Sequence, residues 1–220
     1  MRKVLLFVFL FLTAIRLHSQ VETDSSVYSK GLRLLYEANT AEKYTETAGY
    51  FARVSEQNPA HWLANYYTAL SYILGAQLQG DQKFRDALLD KAQPFIDRAQ
   101  VLKKDDTENL VLQAFLYQVR LQIDPQVRAI TMSQKAESLL KKAIAADSAN
   151  PRAYFLLANN IYYTPPVFKG GPKNALPVFM KAEEKFREYR VALSFLPDWG
   201  RKQNEEMIRQ CNKEKDKSSL

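Results

Sequence analysis

The sequence is poor in the residues on which many catalytic and metal centres depend. It has one cysteine, Cys211, and two histidines, His18 and His61, in 220 residues. A single cysteine excludes an intramolecular disulfide, so the fold must stand on its core. His18 lies in the N-terminal leader, which leaves His61 alone. No two-histidine zinc site and no Ser–His pair with a spare histidine can be built from it. A calcium loop of the D-x-D-x-D-G kind is absent. The acidic pairs Asp105-Asp106, Glu183-Glu184 and Glu205-Glu206 are sequence neighbours, and on a helix neighbours point about 100° apart, so they do not face each other across a substrate. No catalytic residue, metal or cofactor is therefore expected, and the protein reads as non-enzymatic.

Other shortages bear on fold and address. Only 7 glycines occur, while Ala, Leu, Lys, Gln and Glu are plentiful, which favours helix. Beyond residue 15 no apolar run approaches the ~20 residues of a membrane span. The formal charge is +7. Removing Arg2, Lys3 and Arg16 with the leader lowers it to +4, of mixed sign. No concentrated basic stripe marks a nucleic-acid surface.

The N-terminus has the parts of a secretion signal. Met1-Arg2-Lys3 is basic, Val4 to Ile15 is apolar, and Leu17-His18-Ser19-Gln20 places a small residue before a cut after Ser19. We expect a signal peptide over 1–19, a flexible leader over 20–26, a helical domain over 27–214 and a disordered tail over 215–220. No cysteine lies near the cut, so the product is periplasmic or secreted and not a lipoprotein.

The most organised stretch runs from Asn150 to Ala182. An Asn-Pro entry leads into an apolar helix, then a Pro/Gly-rich connection, then a second apolar helix. Tyr154, Leu157 and Ala158 lie on the first helix. Ala175, Phe179 and Ala182 fall on one face of the second, at spacings of four and three. Small residues there let two helices approach to the short end of the usual ~8–10 Å. The pattern recurs upstream at Ala136, Leu140 and Ala143 and at Ala92, Ile96 and Ala99. A divergent version has Thr47, Phe51 and Val54. The second helices begin their pattern at Thr47, Ala92, Ala136 and Ala175, spacings of 45, 44 and 39 residues.

These residues resemble the tetratricopeptide repeat (TPR), whose repeat is ~34 residues long. With the leader, the Tyr163–Pro177 stretch and the Pro197-Asp-Trp-Gly ending, the chain resembles a group of secreted bacterial TPR-like proteins. More distantly it is similar to the helical periplasmic component associated with tripartite ATP-independent (TRAP) transporters. The resemblance implies an all-α, TPR-like right-handed superhelix of about four antiparallel helix pairs, closed by a C-terminal capping helix.

Several details are expected of this array. Thr107 caps the third pair. Pro94 kinks the helix around it or marks where that helix starts. Arg190 to Pro197 is apolar without period and should lie extended on the scaffold. Asp198 should cap a last helix, with Trp199, Met207, Ile208 and Cys211 on its apolar face. His61 is read as a helix-start residue and Cys211 as a buried thiol. Lys169-Gly170-Gly171-Pro172-Lys173 has the glycines and lysines of an anion loop but reads better as a tight turn delivering Pro172 to a helix start.

The expected function is protein–protein interaction in the cell envelope through the concave face, lined by first helices. Candidate partner-binding residues are Tyr66, Tyr154, Asn159, Tyr162, Tyr163, Phe168 and Lys169, facing an envelope protein or peptide segment. The alternative is a periplasmic carrier of a small organic acid, associated with a transport system. Its pocket would use Tyr162, Tyr163, Phe168 and Lys169.

Overall fold

A computed structural model describes residues 25–104 and 106–217. The expected signal peptide, most of the leader and the end of the tail lie outside these residues. Helix α1 occupies 25–37. It is followed by α2 (Ala41–Gln57), α3 (Trp62–Leu78), α4 (Gln82–Leu102), α5 (Thr107–Leu121), α6 (Pro125–Ala146), α7 (Pro151–Tyr163), a 3₁₀ turn at Pro166–Phe168, α8 (Pro172–Glu188) and α9 (Arg201–Lys217). No strand occurs among the described residues. The chain is an all-α, TPR-like superhelix of four helix pairs with α9 packed on α8.

Local chemistry sets most helix starts. Thr40, Asp81, Asp124 and Asn150 accept backbone N–H groups of the first turns of α2, α4, α6 and α7. This satisfies donors that have no partner within the helix. Pro125, Pro151 and Pro172 occupy first helical positions, where a missing N–H costs nothing. For α5 the cap is Asp106, whose carboxylate accepts Glu108 N at 2.9 Å. Thr107 is instead the first helical residue.

The small-residue seams hold the pairs together. Ala92, Ile96, Ala99, Ala136, Leu140, Ala143, Ala175, Phe179 and Ala182 are all buried, as is Ala158 on α7. Leu157 and Tyr154 are half-buried against the same core. In the divergent first unit Phe51 is buried against α1, and a β-carbon at Gly31 would sit 2.4 Å from its ring. Only glycine allows that approach.

Pro94 does not mark a helix start, because α4 runs from Gln82 to Leu102 with Pro94 inside it. Both Pro94 and Asp90, whose carbonyl loses its partner, are exposed. A carbonyl freed on a solvent-facing side can be hydrated, which reduces the cost of an interior proline there. The last helix also differs. It begins at Arg201, after Gly200 at φ 102°. Trp199 is therefore not on its face.

Candidate functional site

Residues 189–200, between α8 and α9, turn back across the first helices of all four pairs. Phe195 stacks on Tyr28 of α1, with ring centres 5.3 Å apart. Tyr67 Oη of α3 donates to Phe195 O at 2.8 Å. The Trp199 ring stacks on Phe115 of α5 at 5.5 Å. Gly200 lies against Phe155 and Arg152 of α7. Tyr189 Oη donates to Pro197 O at 3.0 Å and closes the segment on itself. The segment expected to lie extended instead bends and turns, with Leu196 N donating to Leu193 O at 3.0 Å, and forms a strap across the face where a TPR groove would receive a partner.

Beneath the strap lies a buried charged network. Arg152 is 0% exposed. Its Nε and Nη2 donate to Glu108, the shortest bond being 2.7 Å. Glu108 also accepts from Asn150 Nδ2 at 2.8 Å and from Tyr66 Oη at 3.3 Å. Tyr66 Oη in turn accepts Trp199 Nε1 at 2.8 Å. The Arg152 guanidinium sits 4.6 Å from the Tyr189 ring centre. Burial works against its charge, yet the Glu108 carboxylate outweighs that and holds the Arg152 pKa above the usual arginine range. Burial, then the Glu108 charge, pushes the Tyr66 phenol well up.

This corrects one expected site residue. Tyr66 is fully buried, with its hydroxyl spent on Glu108 and Trp199, so it is not presented to a partner. Sequence reasoning missed Arg152 and Glu108. The available signal was a charged residue, Arg152, directly after the Asn150-Pro151 entry on an otherwise apolar helix.

A hollow of about 560 Å³ opens where the strap, the end of α1 and the start of α9 meet. Tyr36, Tyr189 and Trp199 supply aromatic walls, and Arg190, Arg201 and Lys202 line it with Asp198. Arg201 Nη2 donates to Phe186 O. Arg190 Nη1 donates to Arg187 O at 2.6 Å. Both guanidiniums are thereby tethered near the end of α8, with N–H groups left over from the five each carries. Tyr36 is largely exposed, but partial desolvation of its hydroxyl, then Asp198, pushes the phenol up.

The remaining expected residues lie at the far edge of the fourth pair. Tyr163 and Phe168 are 69% and 72% exposed, and Lys169 is exposed. Val167 is exposed beside them, as are Val127 and Ile130 near the start of α6. The Asn160–Ser133 hydrogen bond ties the end of α7 to this same end of α6. Tyr162 turns away and donates to Glu214 of α9 at 2.5 Å. Asn159 and Tyr154 are half-buried on α7.

The Gly170-Gly171 connection is a turn. Gly170 N and Gly171 N donate to Pro165 O and Ile161 O at 3.2 and 2.9 Å, so the amides an anion would need are already engaged. A β-carbon on Gly170 would fall 1.9 Å from Thr164 O. Cys211 is buried, and burial, then Glu214, raises its thiol pKa. His61 stacks on Tyr28 in the first pair, whereas Cys211 lies on α9, packed against the fourth. The two do not form a nucleophile–base pair. No group of His, Cys, Asp and Glu suited to a metal occurs among the described residues. No described helix is long and apolar enough to cross a membrane.

No family model and no curated protein sequence matches this chain. Solved structures do. A thermophilic TPR protein from Thermus thermophilus aligns over 90% of this chain and 95% of its own, at 14% identity and a TM-score of 0.52, which supports the fold. The HusA haemophore from Porphyromonas gingivalis is 30% identical over 86% of this chain and 93% of its own, with a TM-score of 0.78. At that identity and coverage the likeness extends past the fold, and this helical binding scaffold belongs to the family of the HusA haemophore.

Proposed function

We propose that this protein is an exported carrier of a flat, apolar acid of the porphyrin class, haem included. The observation that carries the reading is the 30% identity to a haemophore along almost its whole length. The strap adds support. A partner peptide would have to displace the Tyr67–Phe195 and Tyr66–Trp199 hydrogen bonds to reach the inner face, whereas a small ligand need not. Export rests on the basic and apolar leader, 1–19.

The carrier reading rests on contacts to the ring and its carboxylates. His61 and Cys211, past the leader, are both committed to packing. With the ring and carboxylates carrying the binding, metal-free protoporphyrin IX should bind about as well as haem. Absorbance titration of the purified chain from residue 20 tests this. A saturable shift of the porphyrin band with both ligands is expected. Thermal stability should rise by about 2.7 kcal/mol at ligand a hundredfold above Kd. No shift with either ligand overturns the reading.

A second reading keeps protein–protein interaction in the cell envelope. The exposed side chains of Tyr163, Val167, Phe168, Val127 and Ile130 favour it, with Lys169 next in sequence and Tyr154, Asn159 and Tyr162 on α7. Co-purification from envelope extract should return a partner that Phe168→Ala and Tyr163→Ala both release. Recovery unchanged by either substitution removes this reading.

A further inference from the structure

We propose that the ligand seat is the hollow between α1, the strap and the start of α9, and that it takes a flat aromatic or macrocyclic carboxylic acid. The inference rests on the carrier reading and adds the location and the chemistry of recognition.

The argument begins with volume. About 560 Å³ falls within the roughly 300–1,000 Å³ of small-molecule pockets. The walls come next. Tyr36, Tyr189 and Trp199 line it from three places on the chain, and aromatic surfaces gain most from a flat apolar partner. Trp199 is fixed by its bond to Tyr66 and its stack on Phe115. Tyr189 is fixed by Pro197 O and the Arg152 guanidinium. Two of the three walls are thus set before any ligand arrives, which lowers the ordering cost of binding.

Charge decides the rest. Arg190, Arg201 and Lys202 face one acid, Asp198, leaving the hollow cationic. Lys202 makes no ion pair or side-chain hydrogen bond among the described residues. The seventeen-residue α9 also starts here, and its N-terminal dipole favours a carboxylate. Apolar walls beside unspent cations suit an acid with a large ring and few carboxylates. By contrast Phe168 is 72% exposed, and the Gly170-Gly171 amides beside it are used internally.

Tyr36 and Lys202 are exposed, so replacing them leaves the core intact. Protoporphyrin IX and its dimethyl ester would be titrated against wild type, Tyr36→Ala, Lys202→Glu and Phe168→Ala, with the melting temperature of each recorded. The expected result is a Kd for the diacid raised tenfold or more in Tyr36→Ala and Lys202→Glu. Phe168→Ala should be unchanged, and the neutral ester should bind wild type more weakly than the diacid. Diacid binding that survives both hollow variants, or is lost only in Phe168→Ala, overturns the seat while leaving the carrier reading. Equal affinity for acid and ester overturns carboxylate recognition. No binding of either compound by wild type overturns both readings.

Discussion

Trp199 Nε1 donates to Tyr66 Oη at 2.8 Å, joining residues 133 positions apart. Through this bond the strap is fastened to the second helix pair while Phe195 fastens it to the first. Trp199→Ala removes the bond and the stack on Phe115, and should cost about 3 kcal/mol, or roughly 6–12 °C in melting temperature for a chain of this size. Tyr66→Phe keeps the ring but leaves the indole N–H and one Glu108 oxygen without that partner, at about 1–3 kcal/mol. Urea unfolding of both variants checks the order. A Trp199→Ala protein as stable as wild type would mean that the strap does not brace the superhelix.

The Glu108–Arg152 pair makes a separate prediction. Arg152 is fully buried, and Glu108 is its ion-pair partner at 2.7 Å. Glu108→Gln leaves an arginine charge inside the protein without compensation, which costs about 3–5 kcal/mol. Replacing both residues with leucine removes the buried charge together with its partner. The double variant should therefore be less destabilised than the sum of the two single ones. Additive losses in denaturant titrations would show that the two groups act independently.

What could be read from the chain alone follows from how local each signal is. The seams of Ala136, Leu140 and Ala143 and of Ala175, Phe179 and Ala182 repeat at helical spacing, so a short window reveals both the face and the pairing. Residues 190–197 lacked any period, and that lack correctly marked them as non-helical, but they bend and turn, with Leu196 N donating to Leu193 O at 3.0 Å, where an extended path was expected. Their destination was not legible, because Tyr28 and Tyr67 are brought to Phe195 only by the packing of the whole array. Trp199 was misplaced for a similar reason. Its helical spacing to Met207 is real, but Gly200 at φ 102° breaks the helix between them. Glu108 and Arg152 lie 44 positions apart, and nothing nearby in sequence marks either as the other's partner. Tyr66 looked available because tyrosine is common at binding surfaces, a preference that says nothing about a segment arriving from the other end of the chain.

Packing at the seams can be tested by enlarging residues. Ala143 and Ala182 are both fully buried, so a leucine at either must push the helices apart, at about 1–3 kcal/mol each. Lys141 is exposed and paired only with Glu137 on its own helix, a contact worth about 0–1 kcal/mol. Lys141→Leu should therefore leave the unfolding midpoint almost unchanged. Equal loss at all three positions would mean that the seam does not set the helix spacing.

Alkaline pH should loosen this fold, and the sign follows from the buried tyrosines. Burial is the first cause that pushes the phenols of Tyr66 and Tyr67 well above the ordinary value of 10.0, with nearby Glu108 adding to it. Above pH 10 the unfolded chain gives up these protons while the folded one retains them. The unfolded state then binds fewer protons, and stability falls as pH rises, by about 1.4 kcal/mol per pH unit for each such proton. Below pH 10 the contribution is fully present. Tyr67→Phe should lose about 0.5–1.5 kcal/mol at pH 7 with its bond to Phe195 O. The same variant should decline less steeply than wild type between pH 10 and 11. Urea midpoints at pH 7, 10 and 11 for both proteins measure the slopes. An unchanged slope in Tyr67→Phe would mean that the buried phenol ionises as readily in the folded chain as in the unfolded one.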